Sequence, residues 1–144
     1  MHEEIERLIK KKDICVLATV SEGEPHCSLM NYISSDDCRE IYMVTQKGTK
    51  KYRNLNTNPA VSLLVDTREE NPGPSRPEGK ALTIAGVFQK MENENKKAMI
   101  KSKFIEKHPY LNTFMKDKDS EIFCVKVASC LLLDGFTKAH FEQI

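Results

Sequence analysis

The amino-acid sequence predicts an α+β fold in which six antiparallel strands curl into a small barrel, with short helices between and after them. Two observations carry this expectation. Six stretches rich in β-branched and apolar residues alternate with turn-forming clusters. Most connections between them are too short for the crossover that a parallel pair requires.

The elements follow in chain order. Ile5, Leu8 and Ile9 recur at helical spacing behind Glu3 and Glu4, and Lys10 to Lys12 complement the dipole at the far end, so a first helix should end near Lys12. The run Ile14 to Val20 is a strand, stopped by Ser21-Glu22-Gly23-Glu24-Pro25, and a second strand covers His26 to about Ile33. The short polar side chains of Ser34-Ser35-Asp36-Asp37 favour a turn before a third strand, Ile41 to Thr45, which makes a three-strand meander. Gly48 breaks the pattern, Thr49 suits an N-cap, and Lys50 to Asn56 reads as a short helix closed by Asn58-Pro59. Strand four is Ala60 to Val65. The proline-rich segment Thr67 to Gly79 is a loop, strand five is Lys80 to Gln89, and Glu92 to Lys107 is helix-permissive. Pro109 starts another short helix to about Lys116, and Glu121 to Leu133 is the last strand.

The totals bound the function. The chain has 144 residues with 40% apolar content, enough for one core, and is expected to form one domain. Its 22 basic and 21 acidic residues nearly cancel, so no global field recruits nucleic acid or a membrane surface, and any anion site must be local. No apolar run approaches the ~20 residues of a membrane span, and the five cysteines are odd in number without CxxC spacing, so a reducing, cytoplasmic setting and no metal knuckle are expected.

One segment breaks a local rule. In Val44-Thr45-Gln46-Lys47-Gly48-Thr49-Lys50-Lys51-Tyr52-Arg53, four cations gather around a helix N-terminus, where unpaired amides already concentrate positive potential. A bound dianion resolves the conflict, with threonine hydroxyls as donors and Gly48 allowing close backbone approach. A solvated basic helix face is the alternative. His26 could touch a ligand or stand in solvent, His108 is read as a helix-start residue, and His140 with Lys138 could approach a ligand from the tail or lie in an exposed C-terminal segment. No Ser-His-Asp, paired-carboxylate or metal-ligand spacing stands out.

From Ile14 to Met91 the order strand-Thr45, Gly48-Thr49, Lys50-Lys51, then Asn58-Pro59-Ala60-Val61-Ser62-Leu63, resembles the pyridoxamine 5′-phosphate oxidase-like FMN-binding split-barrel family. The resemblance implies that the second strand, through His26, Cys27, Ser28, Leu29, Met30 and Asn31, lies along FMN. It also implies that Val44 and Thr45 face the cofactor and that Thr49, Lys50 and Lys51 hold its phosphate. The family's oxidases carry a glutamine where this chain has Ala81, which by position would also lie near the flavin, and a tryptophan that this chain lacks. Their Arg-Leu-His stretch is replaced by Lys138-Ala139-His140, so a typical pyridoxamine 5′-phosphate oxidase is not expected.

Three function classes are compatible with these residues. One is a flavin-dependent oxidoreductase on an unidentified small molecule, in which the cofactor carries the electrons. Another is a non-catalytic flavin-binding or electron-transfer protein, and the last an anion or nucleotide module without redox work. A homodimer is expected as well, because a small barrel is filled by its own side chains and an external ring needs cover from a two-fold partner. The Thr67 to Gly79 loop and the Asp134 to Ile144 tail are the segments expected to reach across.

Overall fold

Strand pairing sets the architecture. In the computed structural model, which describes residues 1–144, the strands are β1 (Ile14–Ser21), β2 (Glu24–Asn31), β3 (Ile33–Ser34), β4 (Glu40–Gln46), β5 (Ala60–Asp66), β6 (Lys80–Lys90), β7 (Ser120–Asp134) and β8 (Lys138–Gln143). They form one antiparallel sheet in the order β2-β1-β5-β6-β7-β4-β3, with β8 added to β7. Only Tyr32 separates β2 from β3, so the two ends of the sheet are one piece of chain and the sheet curls into a half-barrel.

Two expectations need correction. The second strand breaks at Tyr32, and the meander shrinks to the pairs Ile33↔Tyr42 and Ser34↔Ile41. The long ladder of β4 runs instead with β7, from Glu40↔Lys126 to Gln46↔Ser120, while the other neighbour of β1 is β5. The reason lies in burial: Ile41, Tyr42, Met43, Val44 and Thr45 are all buried, and a strand buried on both faces belongs inside a layered structure. The tail is also a strand. β8 pairs with β7 from Ser129↔Gln143 to Asp134↔Lys138, although most of its side chains remain exposed.

Four helices close the remaining surfaces: α1 (Glu3–Lys11), α2 (Lys50–Thr57), α3 (Glu94–Lys107) and α4 (Asn112–Lys116). His2 Nδ1 accepts the Glu4 amide at 3.2 Å to cap α1, whose Ile5, Leu8 and Ile9 enter the main core with Leu17, Met43, Leu63, Leu82 and Phe123. Burying such a side chain is worth about 1.5–3 kcal/mol. Asn93 caps α3 through the Lys96 amide at 3.0 Å, and Ile100 and Phe104 pack with Met115 of α4 over Tyr42, Val44, Ile122 and Cys124. This second core covers the outer face of β4. No helix is long and apolar enough to cross a membrane.

The Thr67 to Gly79 loop holds two 3-10 segments, Arg68–Glu70 and Gly73–Glu78, fastened by Arg76 Nη1 donating to Arg68 O at 2.7 Å and Gly135 N donating to Gly79 O at 2.9 Å. Four cysteines are buried, and burial pushes the Cys15 thiol up to about 12 and Cys124 and Cys130 to about 11, which makes them apolar filling. Cys27 is exposed.

Two features give predictions. The β6–β7 ladder skips Ala128 between Ala85↔Ser129 and Gly86↔Val127, and a Cβ on Gly86 would stand 2.5 Å from Val125 Cγ1 and 2.7 Å from Lys126 O. Gly86→Ala should therefore cost about 1–3 kcal/mol in urea unfolding. Glu40 ties α3 to the sheet. Burial alone pushes its carboxyl up, but hydrogen bonds from Lys126 at 2.6 Å, from Tyr42 and from Lys96 at 3.0 Å outweigh this and hold it at about 2. A folded value below the ordinary 4.5 means that stabilisation is present above 4.5 and lost as pH falls toward 2. The stability gap between wild type and Glu40→Gln should close over that interval in thermal melts.

Candidate functional site

The half-barrel is open along one seam. The β3–β4 ladder ends at Ile33↔Tyr42, and beyond it β2 is paired only with β1 and β4 only with β7, so the two strands diverge. The seam is a cleft of about 270 Å³ lined by Leu29, Met30 and Asn31 of β2, Val44, Thr45 and Gln46 of β4, Thr49 and Lys51, and Leu111 and Phe114 from the segment around α4.

Helix α2 fixes the far end of this cleft. Leu55 packs into the core and Asn54 Nδ2 donates to Thr19 Oγ1 at 3.1 Å, which docks the helix on β1. Thr49 Oγ1 accepts the Tyr52 amide at 3.2 Å and donates to Gln46 O at 2.9 Å, so its proton is committed to the cap. Thr45 is 2% exposed, with its hydroxyl 3.4 Å from that of Thr49. The Lys50 and Lys51 amides have no acceptor within the chain, and the first turn of α2 has no acidic residue.

The cations of this segment separate in the structure. Lys47 lies 3.7 Å from Glu121, Lys50 reaches Glu24 at 4.0 Å, and Arg53 donates to Gly48 O at 3.0 Å. Lys51 alone among them lines the cleft, makes no ion pair and is partly buried; burial pulls its ammonium below the ordinary lysine value. A half-desolvated cation without a counter-ion, beside two free helix amides, is a site that an anion stabilises on both counts.

Of the residues singled out from the sequence, the cleft brings together Leu29, Met30, Asn31, Val44, Thr45, Thr49 and Lys51. His26, Cys27 and Ser28 lie further back on β2, opposite Thr19, Ala18 and Leu17, and Lys50 turns toward Glu24. Ala81 lies on β6 between Asp66 and Leu133, outside the cleft. Gln46, Leu111 and Phe114 were not singled out, although the i, i+3 spacing of Leu111 and Phe114 on a polar segment hints at a buried stripe. His108 stands at the start of the 3-10 turn Pro109–Leu111, as a helix-start residue, and its side chain is fully buried. A second cavity of about 260 Å³ shares Val44; its Lys97 is already paired with Glu121 at 3.1 Å, and its other charged residues, Lys101 and Glu94, are exposed, so it holds no partly buried unpaired cation like Lys51.

Comparison with known proteins follows the same lines. The family model described as pyridoxamine 5′-phosphate oxidase matches residues 1–134. A pyridoxamine 5′-phosphate oxidase homolog of Schizosaccharomyces pombe is 24% identical over 161 residues, which cover 91% of this chain and 84% of that protein. Among solved structures, a heme binding protein from Mycobacterium smegmatis superposes with a TM-score of 0.83 at 16% identity over 99% of this chain, which spans 59% of that protein's length. A FAD-binding protein from Mesorhizobium loti superposes with a TM-score of 0.74 at 16% identity over 92% of this chain and 94% of its own. At such identities the likeness establishes the fold.

Proposed function

This chain belongs to the pyridoxamine 5′-phosphate oxidase family, and from that premise we propose that it binds FMN in the seam between β2 and β4 and serves as an oxidoreductase on a small molecule. The observation that carries the reading is Lys51, the unpaired and partly buried ammonium beside the free Lys50 and Lys51 amides. These groups hold the phosphate, Thr45 adds a hydroxyl, and the free edges of β2 and β4 flank the rest of the cofactor. Leu111 and Phe114 exclude water from one side. A bound flavin supplies the redox chemistry, so the residues need only bind and orient it, and no residue pair in the lining forms an acid and base couple.

Heme is the competing cofactor, since a structural neighbour is described as binding it. The donor set favours flavin. No lining residue is a histidine or cysteine, and His108 nearby has both ring nitrogens engaged, Nε2 with Tyr32 O at 3.0 Å and Nδ1 with Tyr110 Oη at 3.1 Å. Pyridoxamine 5′-phosphate itself is not the proposed substrate, because Lys138-Ala139-His140 and the missing tryptophan depart from the oxidase pattern.

The functional unit in this reading is a homodimer. By register, Leu29, Val16, Leu64, Thr83, Leu131 and Phe141 form one row across six strands of the outer sheet face. Leu29 and Phe141 are 73% and 62% exposed, and a second copy seated on this row covers it. Ala81 belongs to the same outer face by alternation, but it is already covered within its own chain at 8% exposure.

Two measurements test this. Charge-assisted hydrogen bonds are worth about 1.5–3 kcal/mol each, so Lys51→Ala should weaken FMN roughly ten- to a hundredfold in a fluorescence titration. Unchanged affinity in folded Lys51→Ala protein would remove the phosphate site. Light scattering should give twice the 16.5 kDa chain mass, and Leu131→Glu, beside Phe141 in this row, should give monomers; a wild-type monomer that binds FMN tightly would dismiss the shared site.

A further inference from the structure

The apex of the cleft carries a hydrogen-bond network whose direction is fixed by chemistry. His108 Nε2 lies 3.0 Å from Tyr32 O, and a carbonyl only accepts, so this nitrogen holds the ring proton. No carboxylate bonds to the ring, and in the tautomer that this carbonyl fixes Nδ1 accepts the Tyr110 hydroxyl at 3.1 Å. The phenol oxygen, its proton committed, accepts Asn31 Nδ2 at 2.6 Å. The Asn31 amide therefore cannot turn over, and its Oδ1 is left as an acceptor with no partner in the chain.

This acceptor stands at the opposite end of the cleft from Lys51. The seam begins after Ile33↔Tyr42, and Asn31 and Val44 are each two residues beyond that pair, at its apex. From Val44 the strand runs about 7 Å to Gln46, and the turn to Thr49 and Lys51 follows. The cleft is thus elongated and polar in opposite senses, with an unpaired cation at one end and an uncharged acceptor at the other. No lysine or arginine hydrogen-bonds to Asn31, Tyr110 or His108, and the neighbouring Lys107 donates to Lys12 O at 3.1 Å instead.

We propose that Asn31 Oδ1 accepts the imide N3–H of the flavin ring, with Tyr110 and the buried His108 as positioning residues that lock the amide. This rests on the FMN reading, because that molecule has the matching polarity: a phosphate on its chain and an N–H donor at the far edge of its ring. Recognition at the apex is then by a neutral hydrogen bond.

The test compares FMN with its N3-methyl derivative, which keeps the phosphate but has no imide proton. In fluorescence titrations of the full chain, Asn31→Leu should weaken FMN roughly three- to tenfold, the worth of one hydrogen bond, and leave 3-methyl-FMN unchanged. Tyr110→Phe should give a smaller loss for FMN and none for 3-methyl-FMN, which a merely structural role would not produce. Asn31→Ser serves if the leucine variant melts early. Equal weakening of both flavins, or of neither, would overturn the proposal. Competition by inorganic phosphate should be the same in wild type and Asn31→Leu, since it reports on the Lys51 end. No FMN binding by wild type would defeat the cofactor reading, whereas tight FMN binding that ignores Asn31 and N3 methylation defeats this assignment alone.

Discussion

The bend at Tyr32 is the constraint on which the rest of the molecule depends. Its phenol, 1% exposed, donates to Ile9 O at 2.7 Å, and its carbonyl accepts His108 Nε2 at 3.0 Å. One residue thus joins the plug helix α1, the bent strand β2–β3 and the helical segment over β4. A buried hydroxyl or carbonyl without its partner costs about 1–3 kcal/mol, so the bend is held from both sides. Because it is held there, β3 pairs with β4 for two residues only and β2 and β4 part immediately afterwards. The seam, and with it the site, is a product of this single turn of the chain.

Much of the architecture was legible because it rests on local chemistry. The turn at Glu22-Gly23, both at positive φ, gives the first hairpin its full register, and Thr49 caps α2 as its residue type suggests. The order of strands was not legible. Consecutive strands usually pair, and nothing local in His26 to Ile33 announces that Tyr32 will turn inward to a backbone carbonyl of α1. The β7–β8 hairpin was missed for a related reason: Lys138 to Gln143 keeps its side chains in solvent, so it has no alternation to read, and only its backbone ladder makes it a strand.

The site divides in the same way. Charge density picked out the segment from Thr45 to Lys51, yet density alone could not say which lysine would be free. Distances decide that, since Glu121 and Glu24 approach Lys47 and Lys50 from strands far off in the sequence and leave Lys51 unmatched. Leu111, Phe114 and the Asn31–Tyr110–His108 network come from contacts across about eighty residues of chain, a range over which spacing rules are silent. Relatives described as binding FAD or heme share this fold, which supplies the seam while the groups around it choose the occupant.

The seam also bears on how the protein is kept out of aggregates. Along it β2 and β4 each present a backbone edge with no neighbouring strand, and an unpaired edge is a template for any extended chain that meets it. The groups that would receive a ligand are the same groups that would recruit a foreign strand. Under the proposed function, a bound ligand would guard solubility in proportion to how well it fills the edge. A substitution in this cleft would then lower the amount of protein before it altered any rate.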